Sequence, residues 1–431
     1  MPLTTPGVVV GAMRRRLQII RLAIWLYRAY KQIQRLQSRG GDKAAIEGLY
    51  ASAGRDIRET ANRLCGAIVK AGQFLGLREE LFPQSFTTEL RQLQDNIPPA
   101  PFSDVRNTIS EACEQPIERV FRQIDPIPIA SGSIAQVHRA ELMNGQVVAI
   151  KVLRPGIEHL VAVDLSTLHH VAHLAKRIPA LRSRLDFVAL HRTFATTLER
   201  ELNMCAEAEH MERMRGTLGS DSRITIPQVF SAYTTTRVLV MDFVEGANIR
   251  DAAQLESEHI NRYAVRDALL DAYLKQLLVT GFVHLDPHPG NLAVLSDGKL
   301  ALLDFGMVAE YSAEERNAFR NLMQRLFFRD FNGVASILQD LGFLLPESDT
   351  GELVNSIRSA VQQFNGAVLR ELLRLRGFRV EAKYMLLVRC LGMLKTALTI
   401  LTPDETDWPG VLSEHALPAL LNRMDASNAR V

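Results

Sequence analysis

Cysteine is scarce in this sequence: Cys65, Cys113, Cys205 and Cys390 are the only four in 431 residues, and no two stand at a paired spacing. That excludes a disulfide framework and a cysteine-built structural zinc site, and it points to a reducing compartment. Long apolar runs are missing too. The nearest stretch, Met385 to Leu401, is interrupted by Arg389 and Lys395, so it reads as a buried or amphipathic helix rather than a membrane span. The beginning lacks the short apolar core and small-residue cleavage site of a secretory signal. No charge sign dominates, with 50 basic against 48 acidic residues and a net of +2, so nothing global calls for a nucleic-acid partner. Hydrophobic content of 47% and charged content of 23% are those of an ordinary globular chain, long enough for two or three domains.

One absence is local. Residues 1–41 contain no acid, but they do contain Arg14, Arg15, Arg16, Arg21, Arg28, Lys31, Arg35 and Arg39. Arg14, Arg21, Arg28 and Arg35 recur every seven residues, which on a helix makes one stripe. Leu17, Ile20, Ile24 and Tyr27, with Trp25 nearby, are expected to fall mostly away from it. Three readings stand: contact of residues 13–35 with an anionic membrane surface, a helix packing its apolar side on the protein with solvated arginines, or an organelle-targeting segment. Gly40-Gly41 ends this helix. A helical stretch, 42–120, follows; it holds Lys70-Ala71-Gly72-Gln73, Leu81-Phe82-Pro83 and Leu93-Gln94-Asp95 and breaks near Pro98-Pro99-Ala100-Pro101. Taken by itself, that stretch carries no chemistry.

From about Ile124 the pattern turns to strands, opening a segment 121–245 with a helical insert. Asn144-Gly145 is a hairpin signal leading into Val147 to Val152, a β-branched run containing Val148-Ala149-Ile150-Lys151. A lysine in an apolar strand needs an anionic partner or a route to solvent. The small-residue turn Ala130-Ser131-Gly132-Ser133 precedes the first long strand and could let phosphates approach the backbone, though as a lone signal it is a mere turn. Residues 158–216 read as helices. His169 and His173 are four apart there and read as a surface or packed face rather than a metal pair. Glu199-Arg200-Glu201-Leu202-Asn203 and Glu207-Ala208-Glu209 follow. A hairpin is expected near Val229–Val240, running into Met241-Asp242-Phe243-Val244-Glu245-Gly246. The remainder, 246–431, reads as mainly helical, entirely so after Gly306, with Tyr311-Ser312-Ala313-Glu314-Glu315 as a helix start.

The densest chemistry lies at His284-Leu285-Asp286-Pro287-His288-Pro289-Gly290-Asn291, followed by a short strand-like run and then Asp304-Phe305-Gly306. Phosphoryl transfer of the protein-kinase type uses an acceptor-side aspartate, an asparagine five residues on that holds a metal, and a second metal-holding aspartate in an Asp-Phe-Gly turn. Asp286 and Asn291 have that spacing, and Asp304 opens the turn. Magnesium needs few protein oxygens and fills its other positions with phosphate and water. The bland reading is a Pro/Gly loop whose aspartates cap turns. A sharper rival is a hydrolytic metal site of His284, Asp286 and His288.

With Lys70-x-Gly72-Gln73 upstream, these motifs resemble the UbiB-type (AarF-like) family of atypical kinase-like proteins, linked to ubiquinone and other isoprenoid-quinone lipid metabolism. The motifs match in order from Lys70 to Gly306, and looser similarity covers about residues 45–400. The resemblance implies an α+β, protein-kinase-like two-lobed fold with an added N-terminal helical extension, and it implies ATP and Mg²⁺ as cofactors. By the same resemblance Lys151 is the nucleotide-binding strand lysine, with Ala149 beside it, and Glu207 is its helix partner. Asp286 is the catalytic-loop aspartate, and Asn291 and Asp304 are metal ligands. Ala130, Ser131, Gly132 and Ser133 stand for the family's alanine-rich loop, and Met241, Asp242 and Val244 for the adenine-receiving segment. Lys70 and Gln73 belong to a helical region that in the family folds over the active site, restricts protein substrates and accompanies ATPase behaviour.

Two departures stand out. Asn203 replaces the acid of the family's Glu-x-Asp after Glu201, and Gly132 stands where alanine is usual. The paired C-terminal membrane helices of some bacterial relatives are not found, so the resemblance implies a cytoplasmic protein with at most peripheral membrane contact, organelle targeting being the other reading of residues 1–41. The expected function is Mg²⁺-dependent ATP binding and hydrolysis supporting quinone or other lipid metabolism, with phosphoryl transfer to a small or lipid-linked acceptor. The alternatives are a non-catalytic nucleotide-gated lipid or protein chaperone, or a metal hydrolase. Partners are ATP and lipid or quinone-pathway components. The oligomeric state is not legible.

Overall fold

The computed structural model describes residues 6–76, 78, 81–93, 97–182, 186–343, 351, 354, 355, 357, 358 and 382–421. Gln94, Asp95 and residues 422–431 lie outside them. In chain order the helices are α1 Pro6–Ser38, α2 Lys43–Leu64, α3 Ala67–Gly76, α4 Gln84–Leu90, α5 Phe102–Ala112, α6 Ile157–Lys176, α7 Pro179–Arg182, α8 Phe187–Glu201, α9 Met204–Leu218, α10 Ala252–Ser257, α11 Arg262–Leu274, α12 Ala313–Phe327, α13 Phe331–Asp340, α14 Ala382–Leu401 and α15 Trp408–Leu421. The strands are β1 Phe121–Ile124, β2 Ala130–Ser131, β3 Ala135–Leu142, β4 Val147–Leu153, β5 Ile224–Thr225, β6 Val238–Asp242, β7 Ala247–Asn248, β8 Phe282–His284, β9 Leu292–Val294, β10 Leu300–Leu302 and β11 Val308–Glu310. The chain divides into two compact units, 1–206 with 230–242, and 207–229 with 243–431.

The first unit joins a helical layer to an antiparallel sheet. The sheet runs β1-β3-β4-β6, with β2 on β3. The Asn144-Gly145 signal forms the β3–β4 hairpin: Gly145 takes φ 86°, a left-handed value that favours glycine, and Asn144 Oδ1 accepts the Gln146 N–H. Val148, Ile150, Val152, Val238 and Val240 are fully buried and meet Val105 and Ile109 of α5. The hairpin expected near Val229–Val240 is only half formed. Thr235 N–H bonds the Val238 carbonyl, but the first arm is a short 3₁₀ turn, Ser231–Tyr233, and only β6 is a strand.

The helical layer forms where α2 and α4 approach closely. A Cβ on Gly54 would lie 2.6 Å from the Phe86 carbonyl oxygen, so only glycine permits this contact. On α1, Ile19, Ala29 and Ile33 are buried, and Leu22 and Leu26 pack beside Ile19 against Ile57, Ala61 and Ile68. The expected segregation of arginines from apolar residues does not hold. Leu17, Ile20 and Ile24 are exposed on the same side as Arg14, Arg21 and Arg28, because Leu17 stands three residues after Arg14 and four before Arg21 and so shares their face. Arg15 differs from its neighbours. Its guanidinium turns inward to the Leu64 and Cys65 carbonyls and to Asp164 Oδ2 at 2.6 Å, and the Asp164 side chain is fully buried.

In the second unit, sheet β5-β10-β9-β7 and the pair β11-β8 flank helices. The run between the two aspartate motifs is the β9–β10 hairpin. β11 corrects the all-helical reading after Gly306: its three residues pair with β8, Val308 opposite His284. Helix α12 then starts at the expected place with a capping box, Ser312 Oγ accepting from Glu315 N–H and Glu315 Oε2 from Ser312 N–H. Helix α14 is long and apolar enough to cross a membrane by composition. Its Cys390, Ala397 and Leu401 are nevertheless buried, and Arg262 at the start of α11 bonds its Ile400 carbonyl at 2.6 Å.

Burial pushes the Asp164 carboxyl above its usual range, and Arg15 opposes that shift. Arg15→Met should lower unfolding free energy by about 3–5 kcal/mol, the usual effect of leaving one charge of a buried pair. The variant's folded state then takes up a proton at Asp164 that its unfolded state releases. Denaturant unfolding should accordingly show the loss in full at neutral pH and reduced in mild acid.

Candidate functional site

The first unit carries the residues expected near a nucleotide. Lys151 lies mid-strand in β4, opposite Val137 and Leu239, between the fully buried Ile150 and Val152. It is half-buried, and Ala149 is buried on the same strand opposite Met241. Ala130 and Ser131 pair with β3, Gly132 N–H closes on the Ala135 carbonyl, and Ser133 is buried. The turn is held by a residue the sequence did not single out. Arg154 donates to the Gly132 carbonyl at 2.7 Å, to Ser131 Oγ at 2.8 Å and to the Pro98 carbonyl at 2.8 Å. Met241 and Asp242 end β6; Val244 falls two residues later, in the second unit, half-buried.

Lys70 and Gln73 stand three apart on one face of α3. Lys70 Nζ pairs with Glu201 at 3.0 Å, and Gln73 Nε2 donates to the Leu93 carbonyl at 3.3 Å. Asn203, the departure from Glu-x-Asp, acts locally, since its side-chain oxygen accepts the Cys205 N–H at 3.1 Å where α9 begins. A capping position needs only a small polar acceptor, and asparagine serves as well as aspartate. The lysine is anchored by Glu201.

The second unit builds the acid-bearing turns. Asn291 Nδ2 donates to Asp286 Oδ2 at 3.3 Å and to its carbonyl at 3.2 Å. The Asn291 carbonyl accepts Leu303 N–H at 3.0 Å, which seats Asp304 in the adjoining turn. Asp304 Oδ1 accepts Gly306 N–H at 2.9 Å. Glu207 is buried, and its Oε1 accepts the Phe305 N–H at 3.3 Å; Phe305 itself is fully buried, and its carbonyl bonds His210 Nδ1. Asp286, Asn291, Asp304 and Glu207 therefore all engage the two motif turns.

His284 ties these turns together. It is fully buried, with Nε2 on the Asp304 carbonyl and Nδ1 2.8 Å from the Tyr273 hydroxyl. A carbonyl only accepts, so Nε2 carries the proton and Nδ1 accepts from Tyr273. Burial holds the imidazole below its usual range and raises the Tyr273 phenol well above its own, so both groups stay neutral. The His284 N–H is bound by Gln276 Oε1 at 2.8 Å, from a π-helical turn, Lys275–Thr280, that closes on left-handed Gly281. Such turns occur often at functional sites. Cys390 of α14 donates to the His284 carbonyl, and burial with nearby Asp286 pushes its thiol up to about 12. One residue further back, Arg389 reaches Asp286 Oδ1 at 3.4 Å.

The donor set suits a hard cation. Asn291 commits its amide nitrogen to Asp286 and keeps its oxygen, and Asp304 adds a carboxylate, the sparse oxygen set that magnesium accepts. The rival transition-metal triad does not fit. Both ring nitrogens of His284 are used, His288 Nδ1 accepts the Gly290 N–H, and no group of three His, Cys, Asp or Glu able to hold a metal exists among the described residues. The rings of His169 and His173 stack 4.3 Å apart with His191 beside them, as a packed face. Sequence reading missed Arg389, Tyr273 and Arg154 as site residues; the one available signal was a charge inside the apolar run at Arg389.

The fold and these turns define a kinase-like protein. Residues 92–338 match the ABC1 atypical kinase-like domain. The chain belongs to that family. It is 31% identical over 377 residues to the probable protein kinase UbiB of Marinobacter nauticus, covering 83% of this chain and 68% of that protein. It is 34% identical over 304 residues to the chloroplastic ACTIVITY OF BC1 COMPLEX KINASE 3 of Arabidopsis thaliana, covering 70% of this chain and 43% of that one. The chain spans about half the length of the plant and cyanobacterial relatives it matches. A Mycobacterium tuberculosis protein solved in complex with erythromycin shares the fold, with TM-score 0.58 and 21% identity over 84% of this chain and 94% of that one.

Tyr273→Phe removes the hydroxyl hydrogen that satisfies the buried His284 Nδ1. It should lower stability by about 1–3 kcal/mol, read by chemical denaturation.

Proposed function

We propose that this protein binds ATP with Mg²⁺ and hydrolyses it in support of isoprenoid-quinone or other lipid metabolism, passing the phosphoryl group to water or to a small or lipid-linked acceptor. The observation that carries this reading is the pair of turns in the second unit, where Asp286 is bonded to Asn291 and His284 bonds the Asp304 backbone. Names among the relatives support the lipid assignment, since UbiB stands among them. The chloroplastic relatives favour an organelle setting over a purely cytoplasmic one.

The roles follow from chemistry and from the family pattern. Lys151 would offset phosphate charge, with Glu207 as its proposed ion-pair partner and Asp304 and Asn291 holding the metal. Magnesium, when bound, would neutralise charge on the β- and γ-phosphates. Ala130 to Ser133, with Ala149, would line the phosphates and base; Met241, Asp242 and Val244 would receive the adenine. Lys70 and Gln73, fixed by Glu201 and the Leu93 carbonyl, would serve the same nucleotide. Asp286 orients the attacking hydroxyl. Its carboxylate already takes donors from Asn291 and Arg389, so its direction is set before an acceptor arrives, and pre-set direction is the main contribution such sites make.

Saturating ATP with Mg²⁺ should raise the melting temperature of the full chain, by about 2.7 kcal/mol of stabilisation at a hundredfold excess over Kd. Phosphate release should fall roughly hundredfold or more in Asp304→Asn. Equal phosphate release by wild type and Asp304→Asn would refute catalysis, and binding with no turnover under any lipid condition would leave a nucleotide-gated chaperone. Arg389→Ala should keep the nucleotide thermal shift and lower phosphate release about tenfold, as expected when an orienting partner is lost.

A further inference from the structure

Helix α1 has two apolar faces and uses only one. Ile19, Leu22, Leu26, Ala29 and Ile33 face the protein, where Ile19 is 3% and Ile33 2% exposed. A second set, Met13, Leu17, Ile20 and Ile24, repeats at intervals of four, three and four and remains open to solvent at 56%, 47%, 41% and 49%, with Trp25 at 37%. Five large apolar side chains within 13 residues are far from the scattered singles of an ordinary surface. Arg14, Arg16, Arg21, Arg28 and Lys31 are exposed along the same stretch. Arg15, whose charge is matched by Asp164, is the one base of this run turned inward.

We infer that this open face of α1 docks on an anionic phospholipid surface, the helix lying in the membrane plane. Charge selects the occupant. The face has five cations and, with no acid anywhere in residues 1–41, nothing of its own to neutralise them. A second copy of the same face would bring like charges together, whereas lipid phosphates offset them while the acyl region takes Leu17, Ile20 and Ile24. Tryptophan at the edge of such a face suits the interfacial layer, being apolar in body with one polar N–H. The protein-facing side fixes the helix, so docking needs no unfolding. Each basic residue near an anionic surface strengthens association about fivefold.

The test uses the full chain and sucrose-loaded vesicles of phosphatidylcholine alone or in equal parts with phosphatidylglycerol. Wild type should sediment with the anionic vesicles only, release as salt rises, and show a blue-shifted Trp25 emission, Trp408 being buried. Leu17→Ser/Ile20→Ser/Ile24→Ser should bind about tenfold more weakly or worse, with melting unchanged. Arg14→Gln/Arg21→Gln/Arg28→Gln should bind roughly a hundredfold more weakly; it serves as the second variant should the first fold poorly. Ile127→Ser, at an apolar position 80% exposed outside α1, should bind as wild type. Failure of wild type to sediment with anionic vesicles overturns the inference, as does undiminished binding by the serine variant. Light scattering that shows a dimer lost in the serine variant would assign the face to a second copy instead. Vesicle binding is read without nucleotide, so its failure is distinct from failure of ATP binding.

Discussion

Everything in the acid-bearing turns depends on one neutral imidazole. His284 has no access to water, so each of its nitrogens must find a partner inside the protein. One finds the Asp304 carbonyl and the other the Tyr273 hydroxyl. Because the first partner can only accept, the tautomer and the direction of both bonds are forced. The consequence is geometric. Asp286 lies two residues beyond this ring and Asp304 carries the carbonyl that accepts its N–H, so the two acidic residues have a common anchor. The β8–β11 pairing, with Val308 opposite His284, holds the same point from the other side.

The helical extension follows a comparable economy of charge. Lys70 is matched by Glu201, and Arg15 by Asp164, each pair joining elements distant in sequence. Asn203 takes part in neither. It caps α9 through a neutral oxygen, so this position bonds the backbone without carrying a charge. Glu201 thus anchors a cation while Asn203, two residues on, serves the backbone.

What can be read from the sequence is local. The Asn144-Gly145 turn, the β-branched strand around Lys151, the capping signal at Ser312 and Glu315, the Asp286-to-Asn291 spacing and the Asp304-Phe305-Gly306 turn each depend on residues within a few positions of one another, where periodicity and turn chemistry speak directly. The departures from expectation have equally local causes. Three-residue β11 is too short for any pattern to announce, and the first arm of the Val229–Val240 segment curls into a 3₁₀ turn while β6 takes its ladder partner from β4. The arginine stripe of α1 has a period of its own, but the three- and four-residue offsets to Leu17 and Ile24 put those side chains beside it. Long-range partners such as Arg154 and Tyr273 have no local signature at all.

Arg389 shows how such a residue enters a site. In the sequence it is a blemish in an apolar helix, the reason for doubting a membrane span. In the fold the same helix packs on α11, and a cation there must find an anion or leave the interior. The anion it finds is Asp286, which Asn291 already holds from the other oxygen. A carboxylate with a donor on each oxygen has its direction fixed. In the function proposed above such a group would aim the attacking hydroxyl, and phosphoryl transfer through a loose transition state depends chiefly on positioning.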